Sequence, residues 1–310
     1  MSIEAAPAKS KSPILIIGYN RLNLLKQILT EIQHWDTARI YISIDGPINE
    51  AGDVINQQIR SFLETYSHNK KVTVWFNEEN LGNSKNLVHS ITRVFEIEET
   101  CIVIEDDIQI YYNAYEGIDN VLRNTDVKNL GIVGGFSALP APPKILQYLF
   151  PNKFRPCIRV NIWGWGVRKS TWNLYERDLS SCNVQSILNK SKSWLSLSYK
   201  QQQIWSGRFA KVSANPDLTW DIQVQFMVFR YDLINFLPRF RALDNIGFSD
   251  LRSTNNKSRK SRLYLGKTDF RKISNFEKNT FVINVLNQIE LSSDSRKSIS
   301  QFIRKLLSGF

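Results

Sequence analysis

The amino-acid sequence predicts an α/β fold with a mostly parallel central sheet flanked by helices. Three observations lead there. Short apolar runs alternate with amphipathic helical patterns through the first 107 residues. The strand-then-helix unit recurs at about thirty residues, the pattern of parallel βαβ crossovers. Each apolar run then stops at a polar or turn-forming cluster. Since such crossovers share one hand, these strand tips should gather at one common edge.

Pro13 opens the first strand, over 14–19. Leu24, Leu25, Ile28, Leu29 and Ile32 follow at the helical period, so a helix should start at Asn20 or Arg21. A second strand over 39–44 ends in Asp45-Gly46-Pro47, a turn signal. Val54, Ile55, Ile59, Phe62 and Leu63 mark a second helix, and 72–76 reads as a third strand. Leu87, Val88, Ile91, Val94 and Phe95 mark a third helix.

The fourth strand runs from Cys101 to Ile104 straight into Glu105, Asp106 and Asp107. An apolar run this short suits a strand and not a helix. In an open α/β sheet, ligands bind where such strands end. Three adjacent carboxylates repel one another unless a cation sits among them. Hard oxygen donors suit Mg²⁺ or Mn²⁺, and those metals usually also hold substrate phosphates. The plainer alternative is an acidic cap on the next helix.

Beyond the acids, a helix is expected over 114–122 and a strand over 131–136. Residues 138–156 read as an irregular loop, and 158–162 as a strand leading to Trp163-Gly164-Trp165-Gly166. Residues 169–177 look helical, and 180–218 is polar with weak helical stretches. Thr219 is placed as the cap of a helix over 220–231, with Asp221 in its first turn. An apolar segment from Leu233 to Phe240 is broken by Pro238. In the tail, Ile299, Phe302, Ile303, Leu306 and Leu307 lie close to Arg296, Lys297, Arg304 and Lys305. A basic amphipathic helix of that kind lies on an anionic bilayer or packs on protein.

Composition sets the outer limits. The chain has 310 residues, 42% of them hydrophobic, enough for a full core. Its net charge of +11 suits an anionic partner. Cys101, Cys157 and Cys182 are well separated, which argues against a zinc site or disulfide framework and for a reducing compartment. His34, His68 and His89 are scattered and read as structural. No stretch reaches the ~18 apolar residues of a membrane span. Met1 to Ser12 is small and polar, without the pattern of a secretory signal. The expected location is cytoplasmic, with peripheral contact at the inner face of a membrane through the basic tail. The expected domains are a disordered lead-in (1–12), one domain (13–250, in halves 13–136 and 137–250) and a basic extension (251–310).

Six stretches in this order carry a family resemblance. Residues 13–21 resemble the opening strand of nucleotide-sugar transferases in the N-acetylglucosaminyltransferase I group. Ile44-Asp45-Gly46 resembles their second strand tip, and Glu105-Asp106-Asp107 their acidic metal motif, a variant of Asp-x-Asp. Trp163-Gly164-Trp165-Gly166 with Trp172, Thr219-Trp220-Asp221 and Asn245-Ile246-Gly247-Phe248 resemble bacterial sugar-transferase-like proteins of the same superfamily. Over about residues 13–250 the chain is thus similar to glycosyltransferases of the GT-A fold.

The resemblance implies a transferase acting on a nucleotide-diphosphate sugar, taken as a UDP-sugar, and on a glycan, lipid-linked or polymer acceptor. It implies that Asp107 ligates Mn²⁺ or Mg²⁺. Glu105 and Asp106 would support the metal or the donor's ribose and sugar. Asp45 would contact the base and Arg21 the diphosphate or base. Asp221 would be the general base, with Asp217 and Asp244 as rivals. The residues themselves add further candidates. Arg21, a cation at a helix start, conflicts with the dipole and so points to an anion. Lys85 sits near another helix start, where backbone N–H groups also hold phosphate. Trp163, Trp165 and Trp220 offer faces that could stack on a sugar or acceptor. A single base without a second catalytic carboxylate points to inversion. Two other readings stay open: a sugar-phosphate nucleotidyltransferase, and a non-catalytic basic binding protein. Nucleic acid is not the expected partner, since basic residues do not interleave with aromatics along one element.

Overall fold

The computed structural model describes residues 11–35, 39–66, 68–137 and 151–247, with 276–278, 280, 283–284 and 286–287 beyond them. The lead-in up to residue 10, Phe248, the basic segment 252–260 and the amphipathic tail over 299–307 lie outside the described residues.

Eight strands form one mixed sheet in the order β3-β2-β1-β4-β8-β6-β9-β7. Its first half is parallel: β1 (Ile14–Gly18), β2 (Ile40–Ile44), β3 (Val72–Phe76) and β4 (Thr100–Glu105). Helices α1 (Leu22–Ile32), α2 (Glu50–Glu64) and α3 (Gly82–Val94) make the crossovers. A short strand β5 (Ile108–Ile110) then leads to α4 (Tyr112–Asn124). That strand separates the acids from the helix, whose N-cap is Tyr111, so Asp107 does not cap it.

In the second half, β8 (Trp165–Arg168) runs antiparallel to both β4 and β6 (Leu130–Gly134). Strand β9 (Ile234–Pro238) is parallel to β6, and β7 (Phe154–Cys157) closes the sheet antiparallel to β9. The sequence placed a strand at 158–162, a few residues too late. Pro156 lies inside β7, and a proline is accommodated there because β7 is an edge strand. Strand β10 (Leu243–Asn245) pairs antiparallel with β5 in a separate two-stranded ribbon.

Side-chain alternation divides the core between the two sheet faces. Ile14, Ile16, Ile102 and Ile104 face α1, α2 and α4. Leu15, Ile17, Cys101 and Val103 face α3 and α9 (Asp221–Arg230). Every residue of α9 from Gln223 to Phe229 is buried, because a third cluster packs on its other side. That cluster draws on α6 (Val184–Leu188), α7 (Lys192–Leu195) and α8 (Tyr199–Ala214).

The helical order in 180–218 exceeds what the sequence suggested. Helix α8 has sixteen residues but buries only Trp205, Phe209 and Val212, a stripe too narrow to stand out. Its start is fixed by a capping box between Ser198 and Gln201. Conversely, the helix expected over 169–177 is a single turn, α5 (Lys169–Trp172). Among the described residues no helix is long and apolar enough to cross a membrane.

Candidate active site

An open cavity of about 280 Å³ lies at the tips of β1, β2 and β4. Of the residues named from sequence, Arg21, Asp45, Glu105 and Asp106 line it. Tyr19, Asn80, Gly82 and Asn86 complete much of the wall. Short parallel strands with their tips in register bring these distant segments together.

Arg21 joins the acids. Its Nη1 donates to Asp106 Oδ1 at 3.1 Å and to Asp107 Oδ2 at 2.5 Å. Burial works against the guanidinium's charge, but the Asp106 and Asp107 carboxylates outweigh it and hold Arg21 above its ordinary value. Asp106 Oδ2 also accepts from the Tyr19 backbone N–H at 3.3 Å. The ribbon of β5 and β10 brings Gly247 against Asp107: a Cβ on Gly247 would lie 2.3 Å from Asp107 Oδ2. No residue with a side chain fits there, which accounts for the glycine in the Asn245-Ile246-Gly247 stretch.

Glu105 has a different environment. By alternation it falls on the Cys101–Val103 face of β4, where α3 and α9 pack. Desolvation, then the Asp107 and Asp106 charges, push its carboxyl up to about 8. Asp221 adds to that rise, so the first residue of α9 shares an electrostatic neighbourhood with the β4 acids. Tyr175, raised above the usual phenol range mainly by burial, feels Asp221 as well.

The tryptophans explain how Asp221 gets there. Trp165 on β8 pairs with Val103 on β4, two residues before Glu105. Trp220 stacks on Trp165 with ring centroids 5.6 Å apart. Both rings are buried, 1% and 2% exposed, so neither presents a face to a sugar, contrary to expectation. They are core, and the stack fixes the start of α9 beside β4. Trp163 is only partly buried and packs edge-on against Phe136 at 4.7 Å. Gly164, between them, takes a φ of +58° that favours glycine.

Thr219 does not cap α9; Trp220 occupies the cap position without a side-chain bond. The Thr219 hydroxyl instead donates to Asp221 Oδ1. Among the described residues, Asp221 Oδ2 accepts no hydrogen bond. The rival bases are engaged elsewhere. Asp217 pairs with Arg177 and with Lys85 at 2.9 Å, and Asp244 accepts from the Tyr111 hydroxyl at 2.5 Å. Lys85 is therefore turned toward Asp217 and does not line the cavity.

Asp45 lines the cavity, and most of its acceptor capacity is used inside the protein. Oδ1 accepts from Gly46 N, Asn77 Nδ2 and Leu81 N, and Oδ2 from Gly82 N, at 2.9–3.1 Å. It fastens the start of α3 to the tip of β2; Oδ1 is fully engaged, and Oδ2, with the Gly82 N–H alone, keeps one acceptor site.

The acids suit a hard divalent cation. Asp106 has both oxygens engaged, whereas Asp107 Oδ1 accepts no hydrogen bond among the described residues. Those residues hold no group of three or more His, Cys, Asp or Glu set to bind a metal alone. Mg²⁺-type sites usually take one or two carboxylates and complete their shell with water and substrate phosphates. Asp107 fits that pattern, with Arg21 neutralising the same cluster.

The sequence places 77–80 with the strand tips at the common edge, but gives neither Asn77 nor Asn86 a role. Asn86 shares the buried face of α3 with Leu87, Ser90, Ile91 and Val94. A polar residue on an apolar stripe was the available signal.

No family model matches the sequence, and no curated protein does. Among solved structures, the chain is similar to the inositol-1-phosphate CTP transferase from T. maritima: 10% identity, TM-score 0.36, 74% of this chain and 85% of that one. It is also similar to the apo-form glycosyltransferase GlyE of Streptococcus pneumoniae TIGR4: 10% identity, TM-score 0.33, 97% of this chain but only 64% of GlyE. Likenesses this distant carry no weight for activity.

Proposed function

We propose that the chain is a transferase that moves a sugar from a nucleoside-diphosphate sugar, taken as a UDP-sugar, to an acceptor hydroxyl with inversion. The acceptor class is a glycan, a lipid-linked sugar or a polymer. One observation carries this reading: Glu105, in the cavity wall, lies within electrostatic reach of both Asp107 and Asp221. A cluster built for a cation or phosphate and a candidate base thus share one neighbourhood at the strand tips.

In this mechanism the donor's diphosphate lies against Arg21, whose positive charge is already in place before the bond breaks. Mn²⁺ or Mg²⁺ on Asp107, when bound, supplies Lewis-acid stabilisation of the leaving phosphate oxygens. Glu105, in the wall of the same cavity, can hydrogen-bond a donor hydroxyl. Thr219 holds Asp221 Oδ1, which leaves Oδ2 to take the acceptor's proton. The acceptor oxygen attacks the anomeric carbon as the bond from that carbon to the phosphate oxygen breaks. The nucleoside diphosphate leaves with the electron pair, and the proton ends on Asp221. Such a base typically contributes ~10²–10⁴-fold.

The test is an assay of nucleoside diphosphate release from a panel of UDP-sugars with Mn²⁺, in wild type and Asp221→Asn. Release that depends on Asp221 supports the reading. Release of pyrophosphate from a sugar phosphate and a nucleoside triphosphate would transfer it to the nucleotidyltransferase class.

A further inference from the structure

We infer that Asn86 reads the nucleobase, by donating its side-chain N–H to a base carbonyl; this rests on the donor reading above. Asn86 is 2% exposed, yet it lines the strand-tip cavity. Its Oδ1 accepts from Asn77 Nδ2 at 3.0 Å and from the Ser43 hydroxyl at 3.3 Å, while the Ser90 hydroxyl donates to the Asn86 backbone carbonyl at 2.6 Å. Its Nδ2 donates to no protein atom among the described residues.

The direction of that amide is fixed by a charge two residues away in the chain of bonds. The Asp45 carboxylate only accepts, so Asn77 must turn its Nδ2 toward it, at 3.1 Å. That same Nδ2 meets Asn86, which must answer with oxygen. Nδ2 of Asn86 is then left on the cavity side, open to solvent and free to meet a ligand acceptor. The cavity wall therefore offers a neutral donor at Asn86 beside the charges of Asp45 and Arg21. A keto base such as uracil meets the donor with a carbonyl; an exocyclic amine there would not.

The experiment measures binding of UDP, CDP and inorganic pyrophosphate to the full chain by titration calorimetry. Asn86→Asp keeps the size and still accepts from Asn77 and Ser43, but turns an acceptor to the cavity. UDP binding should weaken about a hundredfold, and pyrophosphate binding by less than about threefold. CDP, whose amine can face the new carboxylate, should lose less than UDP. Asn86→Ala, which removes the donor without reversing it, should weaken UDP by about tenfold. Equal binding of UDP to wild type and Asn86→Asp would overturn the inference, as would equal losses for UDP and pyrophosphate. Should Asn86→Asp not fold, the Asn86→Ala comparison alone decides, since unchanged UDP affinity in it also overturns the inference. A wild type that binds no nucleoside diphosphate would remove the donor reading itself.

Discussion

Arg21 Nη1 donates to Asp107 Oδ2 at 2.5 Å, so the cation of β1's tip and the last acid of β4's tip form one unit. The side chains are 25% and 16% exposed, sheltered enough for the pair to matter. Arg21→Ala should leave Asp106 and Asp107 uncompensated and cost about 1–3 kcal/mol. Mn²⁺ should restore part of that loss, measured as melting temperature with and without chelator. A variant as stable as wild type in chelator would contradict this role.

Asp107→Asn changes little in shape but removes the charged oxygen available to a cation. The wild-type melting temperature should rise with Mn²⁺ in the presence of UDP, by mass action. In the variant that rise should disappear. A full shift in Asp107→Asn would move the cation site elsewhere.

Asp221→Asn should reduce turnover by about 10²–10⁴-fold while UDP affinity stays within about twofold. Steady-state kinetics beside equilibrium binding separates the two. Near-normal turnover would take the base role from Asp221.

Most of the first half was legible because short apolar strands and 3.6-residue stripes leave clear traces. Alternation along β4 puts Glu105 on the Cys101–Val103 face, while Asp106 and Asp107 lie past the end of the strand. What escaped were features decided by tertiary partners. The apolar stack of Trp165 and Trp220 is indistinguishable in sequence from a sugar platform, until β8 is seen buried between β4 and β6. Asp45 read as a ligand-facing turn residue because nothing local shows that Leu81 and Gly82, far along the chain, supply its donors. Strand β7 was hidden by Pro156, and α8 by its polar surface.

Asp45→Ala should therefore act on stability before it acts on chemistry. Four N–H groups lose their acceptor, two of them at the start of α3. We expect a cost of about 2–4 kcal/mol by chemical denaturation, given the penalty of buried unsatisfied donors. A loss under about 0.5 kcal/mol, within the range of ordinary surface substitutions, would show that the loop is held by other means.

Glu105 gives the chain a distinctive pH dependence. Its carboxyl goes from an ordinary 4.5 to about 8 in the fold, through burial and then the Asp107 and Asp106 charges. The folded state keeps a proton that the unfolded chain releases. This contribution to stability is complete below pH 4.5 and is lost as pH rises toward and through 8. Unliganded wild type should lose stability across that window relative to Glu105→Gln. Parallel pH profiles for the two proteins would contradict the burial of this charge.

The most direct measurement is titration of UDP into wild type, Arg21→Ala and Asp107→Asn, each with and without Mn²⁺. The cavity at the strand tips should bind UDP in wild type, more tightly with Mn²⁺; Arg21→Ala should bind it weakly, and Asp107→Asn should lose the Mn²⁺ effect. UDP that fails to bind wild type, or binds all three proteins alike, would contradict a nucleotide donor seated against Arg21 and Asp107.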